Sequence, residues 1–291
     1  MQKRVLICGA GSIGIYLGLM LHTHNNYVEL FGKRKLKEIK DHIKINNKQF
    51  KIPKKIFNLT KNNYYDFIFI TAKLYNLEDI LKIINKHNIK YKHLISIQNG
   101  LVDNSKYHSI IGNKKLLIIS VFEGFRLNKN ELTMTSTKLG WKTEYSKEGL
   151  EIAKLLSDSG ITCHADKNFD ILRAEKTINN CCLNALSAIN KTTFDKLFSN
   201  PKTREIIDLL FDECYNILKR DFDLEDYKIL KKRMYKTWSK MKHYSSTCQD
   251  VLSGRKTEIE FLNGYIIKLG KKYNLPVKEN EKIIKEFKKI K

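Results

Sequence analysis

The stretch RVLICGAGSIGIYLGLMLHTH, residues 4–24, decides the fold. Arg4 to Ala10 is a short apolar run bounded by glycine, which suits a buried parallel strand. The residues from Ser12 onward have helical character. Between the two, Gly9, Gly11 and Gly14 form G-x-G-x-x-G. The first glycine permits a tight turn, the second lets a pyrophosphate approach the backbone, and the third lets helix and strand pack closely. Free amides at the helix N-terminus then bind the anion. The segment predicts a dinucleotide held by Gly9, Ala10, Gly11, Ser12, Ile13 and Gly14. The competing reading is a glycine-rich turn without a ligand.

Outward from this unit, YVELFG reads as a second strand, and FKIPK, FIFITAK, HLISIQNG and KLLIISVFE as further ones. Helical patterns such as LEDILKIINKHN separate some of them, so a doubly wound parallel sheet is expected. ELTMTSTKLGW looks like a small β addition, and KEGLEIAKLLSDSG is a helix stopped by Gly160. After ITCHADKNFD strand-like runs vanish and long helical patterns take over. The expected class is α/β: an N-terminal Rossmann-type doubly wound parallel sheet (1–167) followed by an all-α C-terminal domain (168–291).

At 291 residues with 42% hydrophobic residues, the chain can build two domains. Its longest apolar stretch, Leu116 to Phe122, is strand length, well short of the roughly 18 to 20 residues that span a bilayer. Its N-terminus lacks the small-residue cleavage pattern of a signal peptide, so a cytoplasmic protein is expected. Six cysteines at 8, 163, 181, 182, 214 and 248 show no CxxC pairing and read as reduced, buried thiols. No metal is expected: His22 and His24 would point roughly 200° apart around a helix. The formal charge of +23 comes from 54 basic and 31 acidic residues. The lysines are spread from end to end without a nucleic-acid-binding signature, so nucleic-acid binding is set aside as a function. The charge instead favours capture of polyanionic small ligands.

An NAD site places Asp or Glu at the end of the second strand, about 20 residues on. Counting from Gly14, that place holds Arg34 within GKRK (Gly32 to Lys35). Glu29 is the rival, but it sits early, inside the strand pattern. A cationic cluster suits a 2′-phosphate, which guanidinium grips with two prongs. NADP(H) is therefore expected, against the bland reading of a solvated charge run. In EKTINNCCLNAL (Glu175 to Leu186), Lys176, Asn180 and Asn184 fall four residues apart on one helix side. That stripe is either a solvated face or the lining of a pocket. Further on, Gly254 breaks the pattern, and Thr257 with Glu260 reads as a capping box that puts Glu258 in a first helical turn. Tyr235, Trp238, Met241 and Tyr244 form a helical stripe suited to core or dimer packing.

Four stretches together carry a family resemblance: TAKLYN with Lys73; SIQNG with Gln98, Asn99 and Gly100; EKTINNCCLNALSAI; and HYSSTCQDVLSGRKTEIEFLNGYIIKLGKKYNLPVKEN. In this order, from Lys3 to about Asn280, the chain resembles the ketopantoate reductase (2-dehydropantoate 2-reductase) family. The resemblance implies NADPH-dependent reduction of 2-dehydropantoate to (R)-pantoate, toward pantothenate and coenzyme A. It implies Lys176 as general acid, Glu258 as the group orienting the substrate hydroxyl, and Asn180, Asn184 and Ser246 as substrate ligands. Asn99 would contact nicotinamide or substrate, Lys73 would lie near the cofactor, and Arg34 would take the 2′-phosphate. The residue types suit the chemistry, because hydride addition builds negative charge on an oxygen that an ammonium can stabilise and protonate. Two positions depart from the family: Ala185, where relatives often carry Pro, and Asn76, where they often carry Gln. They leave open another branched 2-oxo acid as substrate. A non-catalytic NADP-binding sensor is the reading from another class; loss of Lys176 or Glu258 would have favoured it, and both are present. Monomer and homodimer are equally compatible with the sequence.

Overall fold

The computed structural model describes residues 2–101, 104–112 and 114–290, with backbone only at positions 34, 35 and 104. It forms two compact units: Met1–Gln98 with Asp103–Phe169, and Asn99–Val102 with Asp170–Lys291.

The first unit contains all twelve strands found among the described residues: β1 (Arg4–Cys8), β2 (Tyr27–Phe31), β3 (His42–Ile45), β4 (Lys48–Lys51), β5 (Lys54–Ile56), β6 (Tyr64–Ile70), β7 (Lys90–Ile97), β8 (Leu116–Val121), β9 (Gly124–Asn128), β10 (Glu131–Thr135), β11 (Trp141–Glu144) and β12 (Cys163–Asp166). Eight build one sheet in the order β12-β11-β8-β7-β6-β1-β2-β5, and four build a second, β4-β3-β10-β9. The large sheet is parallel from β5 to β8, as a Rossmann-like sheet requires, and β11 runs antiparallel beside β8. FKIPK is not one strand. Pro53 has no N–H to give a ladder, and the chain breaks there, so β4 joins the small sheet and β5 the large one.

Helices of this unit are α1 (Ser12–Thr23), α2 (Arg34–Glu38), α3 (Leu77–Lys86), α4 (His108–Ile111) and α5 (Lys147–Asp158). The nearly all-apolar α1 has a physical reason. One hydrophobic cluster joins Ile7 of the large sheet, Leu17 of α1 and Ile43 and Leu132 of the small sheet. The helix is thus sandwiched between two sheets and buried on every side, so it needs no polar face. The middle of β1 is likewise covered on both faces, with Val5, Leu6, Ile7 and Cys8 at 0% exposure.

The second unit is helical: α6 (Phe169–Ile189, beginning at the junction), α7 (Phe194–Ser199), α8 (Pro201–Leu218), α9 (Tyr227–Trp238), α10 (Ser246–Leu252), α11 (Asn263–Lys272) and α12 (Lys278–Lys288). Its core takes in Cys181, Cys182 and Cys214, and all six cysteines of the chain are free and buried. Of the aromatic stripe, Trp238 is core, Tyr235 and Met241 pack against that core, and Tyr244 is exposed.

The motif asparagines near the C-terminus are structural. Asn263 Nδ2 donates to the Cys181 carbonyl (3.0 Å) and to Asn280 Oδ1 (2.9 Å). Asn280 Nδ2 donates to Glu213 Oε2 (2.9 Å), and the same carboxylate accepts the backbone N–H of Glu279 (2.8 Å) and of Asn280 (3.0 Å) in the first turn of α12. One chain of buried and partly buried hydrogen bonds therefore ties α6, α8, α11 and α12. Asn280→Ala breaks it in the middle and leaves Asn263 with a donor to spare. It is expected to lower stability by about 2–4 kcal/mol, read as a fall in denaturation midpoint; a loss below about 0.5 kcal/mol would refute the network's role.

Candidate active site

The glycine turn fits a dinucleotide's pyrophosphate. Gly9 has φ +132°, and a Cβ there would sit 2.6 Å from the Ala72 nitrogen. A Cβ on Gly14 would lie 2.0 Å from the Gly9 carbonyl oxygen, whereas one on Gly11 would meet nothing within 4 Å. So the first and third glycines close the turn, and the second leaves open space in front of it. The first α1 bond is from Ile15 N to Gly11 O (2.9 Å), and no side chain caps the helix. The amides of Ser12, Ile13 and Gly14 are therefore the helix's orphan donors, suited to an anion.

The neighbouring parallel strands end at the same edge, because Cys8 pairs with Ile70, Ile70 with Ser96 and Ser96 with Ile118. At the exit of β6, Thr71 and Ala72 both donate backbone N–H groups to Cys8 O (2.9 and 3.1 Å), and Lys73 follows, half-buried. At the exit of β7, Gln98 donates to the Ala72 carbonyl (2.6 Å) and accepts from Ser96 (2.7 Å). Asn99, partly buried in the following bend, groups with the helical unit. Glu29 is unavailable to a ribose: it is 4% exposed and accepts from Tyr65 Oη (2.5 Å) and Lys54 Nζ (2.7 Å). Arg34 opens α2, and its side chain lies outside the described residues.

In the helical unit, the stripe on α6 is not a solvated face. Asn180 is 7% exposed and Asn184 4%. The Lys176 side chain keeps some surface, but its ammonium is enclosed by protein. Desolvation pulls its pKa down to about 8, helped by the positive charge of Arg173 and opposed by the carboxylate of Glu258. Lys176 and Glu258 are therefore electrostatic neighbours, with Glu258 itself buried. Arg173 lies one turn before Lys176 on the same face; extending the stripe by three residues would have found it.

Asn179 was also missed. Its Oδ1 accepts from the Trp238 indole (2.6 Å), and its Nδ2 donates to Asn180 Oδ1 (3.4 Å). This fixes the Asn180 amide while its Nδ2 stays buried without a hydrogen-bond partner. A buried orphan donor of this kind marks a position for a ligand or water oxygen. The capping box expected at Thr257 does not form. Residues 255–258 are irregular, a single 3-10 turn spans Ile259–Phe261, and Glu258 precedes it without a side-chain cap. Thr257 Oγ1 is a second buried group without a partner.

Ser246 is the exposed first residue of α10. Its neighbour Ser245 is the buried one: it accepts from Cys248 N (2.9 Å) and donates to the Asn184 carbonyl (3.1 Å), seating α10 on α6. Asp250 and Arg255 of the same motif pair with each other at 2.9 Å.

Known proteins resemble the chain over both of its halves. Residues 5–141 match the family "Ketopantoate reductase PanE/ApbA" and residues 168–291 match its C-terminal domain. The 2-dehydropantoate 2-reductase of Aquifex aeolicus is 26% identical over 305 residues, covering 99% of this chain and 97% of the relative. Among solved structures, the PanE/ApbA family ketopantoate reductase of Ralstonia eutropha JMP134 superposes with a TM-score of 0.84 at 20% identity, covering 98% of this chain and 97% of that one. D-mandelate dehydrogenase, solved with NADH and anilino(oxo)acetate, matches with the same score, identity and coverage. With both halves matched in order, the chain belongs to the PanE/ApbA ketopantoate reductase family of oxidoreductases.

Proposed function

We propose that the chain reduces 2-dehydropantoate to (R)-pantoate with NADPH, a step toward pantothenate and coenzyme A. The observation that carries this reading is Lys176, whose ammonium is desolvated to a pKa of about 8 beside the buried carboxylate of Glu258. A general acid works best when its pKa lies near the working pH. The cofactor, held by Gly9, Ala10, Gly11, Ser12, Ile13 and Gly14, supplies hydride to the carbonyl carbon when bound. Lys176 Nζ stabilises the charge growing on the oxygen and gives it a proton; the neutral amine then regains one from water. Asn180 Nδ2, held by Asn179, donates to a substrate oxygen, and Asn184 and Ser246 complete the grip on carboxylate and hydroxyl. Glu258 orients the substrate hydroxyl and keeps Lys176 charged against desolvation. Asn99 contacts nicotinamide or substrate, and Lys73 lies close to the cofactor.

The 2′-phosphate reading rests on charge. The acidic residue of β2, Glu29, is already engaged, and Gly32, Lys33, Arg34 and Lys35 follow the strand. A second substrate, another branched 2-oxo acid, stays open because of Ala185, a residue of α6 buried at 1% exposure. Proline there, as in many relatives, would deprive the Cys181 carbonyl of its helical donor. Asn263 Nδ2, which already donates to that carbonyl, suits either residue.

Steady-state NADPH oxidation over a panel of 2-oxo acids is expected to favour 2-dehydropantoate; turnover of a different acid alone would sink the assignment. Lys176→Ala should cut kcat by about 10²–10⁴-fold while NADPH binding by fluorescence titration persists, and undiminished turnover would remove the general acid. Because Lys176 must be protonated to act, kcat/KM for reduction should hold below pH 8 and fall as pH rises through about 8. A profile flat to pH 10 would contradict that. Arg34→Ala should weaken NADPH far more than NADH; equal losses would overturn the 2′-phosphate reading.

A further inference from the structure

Glu123 is a partly buried carboxyl that none of the roles above uses. It follows β8 at the strand-exit edge shared with Gly9, Thr71–Lys73 and Gln98, two residues beyond Val121. The position is held firmly: Phe122 N donates to Gly140 O (3.1 Å), and Trp141, fully buried, pairs with Val121 across the β8–β11 ladder. The Trp141 indole Nε1 donates to Glu123 Oε2 at 2.9 Å. Tyr16 and Phe125 pack around that indole, with ring centroids 6.3 and 6.2 Å away. The other oxygen, Oε1, has no hydrogen-bond partner among the described residues. Oε1 is not among the buried atoms that lack a partner, so it is solvent-accessible and can accept from a ligand donor while Oε2 holds the carboxylate in place.

Direction identifies the donor. A dinucleotide crosses this edge with its pyrophosphate at the α1 N-terminus and its adenosine toward β2, so its other half runs over β6 and β7 toward β8. The group at that end that carries N–H donors is the nicotinamide carboxamide. We infer that Glu123 Oε1 accepts the carboxamide amino group of the cofactor and so sets which way the nicotinamide ring faces. Burial raises the Glu123 pKa, in keeping with a carboxylate whose water has been displaced on one side.

This inference rests on the nicotinamide reading of the proposed function, and the test separates the two. Dissociation constants are measured by calorimetry for NADPH and for its 3-acetylpyridine analogue, in which a methyl replaces the carboxamide amino group. Wild type, Glu123→Gln and Glu123→Ala are compared, with melting curves to check folding. Glutamine must keep its oxygen for Trp141 and therefore presents an amino group where an acceptor is needed. Both variants are expected to lose NADPH affinity about tenfold or more, while affinity for the analogue changes less than about twofold. Equal losses for both ligands, or no loss for either, would overturn the role of Glu123 and leave the cofactor reading standing. A wild type that binds neither ligand would overturn the cofactor reading and this inference with it.

Discussion

An added methyl at Gly14 would stand 2.0 Å from the Gly9 carbonyl oxygen, and much of the first unit follows from that clearance. Only without a side chain can α1 start so close to the end of β1. At Gly11 the turn leaves open space beside the first, unbonded amides of the helix. Once α1 is seated there, its apolar body covers the large sheet and offers a second face that the small sheet must close. A packing constraint of one atom thus sets the anion site and the layer order together.

The helical unit applies a different constraint to its own site. Lys176 carries a charge where water is largely excluded, which is costly, and its neighbours divide the effect. Arg173 pushes toward the neutral amine, and Glu258 pulls toward the ammonium. The result is a lysine that stays mostly protonated at neutral pH yet gives up its proton far more readily than an ordinary lysine. Asn180 belongs to the same economy of polar groups, since Asn179 satisfies one end of its amide and leaves the other unpaired. Unsatisfied burial is tolerated where a ligand completes it.

The sequence was most legible where one residue type had one physical reason. The glycine spacing foretold the strand, turn and helix, and four-residue spacing found the stripe of Lys176, Asn180 and Asn184. Legibility failed where long-range contacts decide. Glu29 looked like a rival ribose ligand until Tyr65 and Lys54 were seen to occupy it. Thr257 carried a capping pattern, yet the chain there opens a 3-10 turn and leaves its hydroxyl unpartnered. Strands such as β3 (HIKI) and β9 (GFRLN) do alternate, as a sheet packed on one side requires, but four or five residues are too short a run to stand out from the polar chain around them. Asn263, Asn280, Asp250 and Arg255 belong to the stretch that carries the family resemblance, and the structure spends them on holding helices and a turn.

The chain's brief excursion at Asn99–Val102 bears on how the molecule is made. Leu101 is buried in the helical core, although it emerges during synthesis long before α6 to α12 exist. That core also needs Ile283, Ile284 and Phe287 of the final helix. Leu101 can therefore reach its buried place only late, after the residues that surround it have been synthesised. Until the helical unit has been made, the Leu101 side chain lacks the core that buries it. That core is complete only with the last helix.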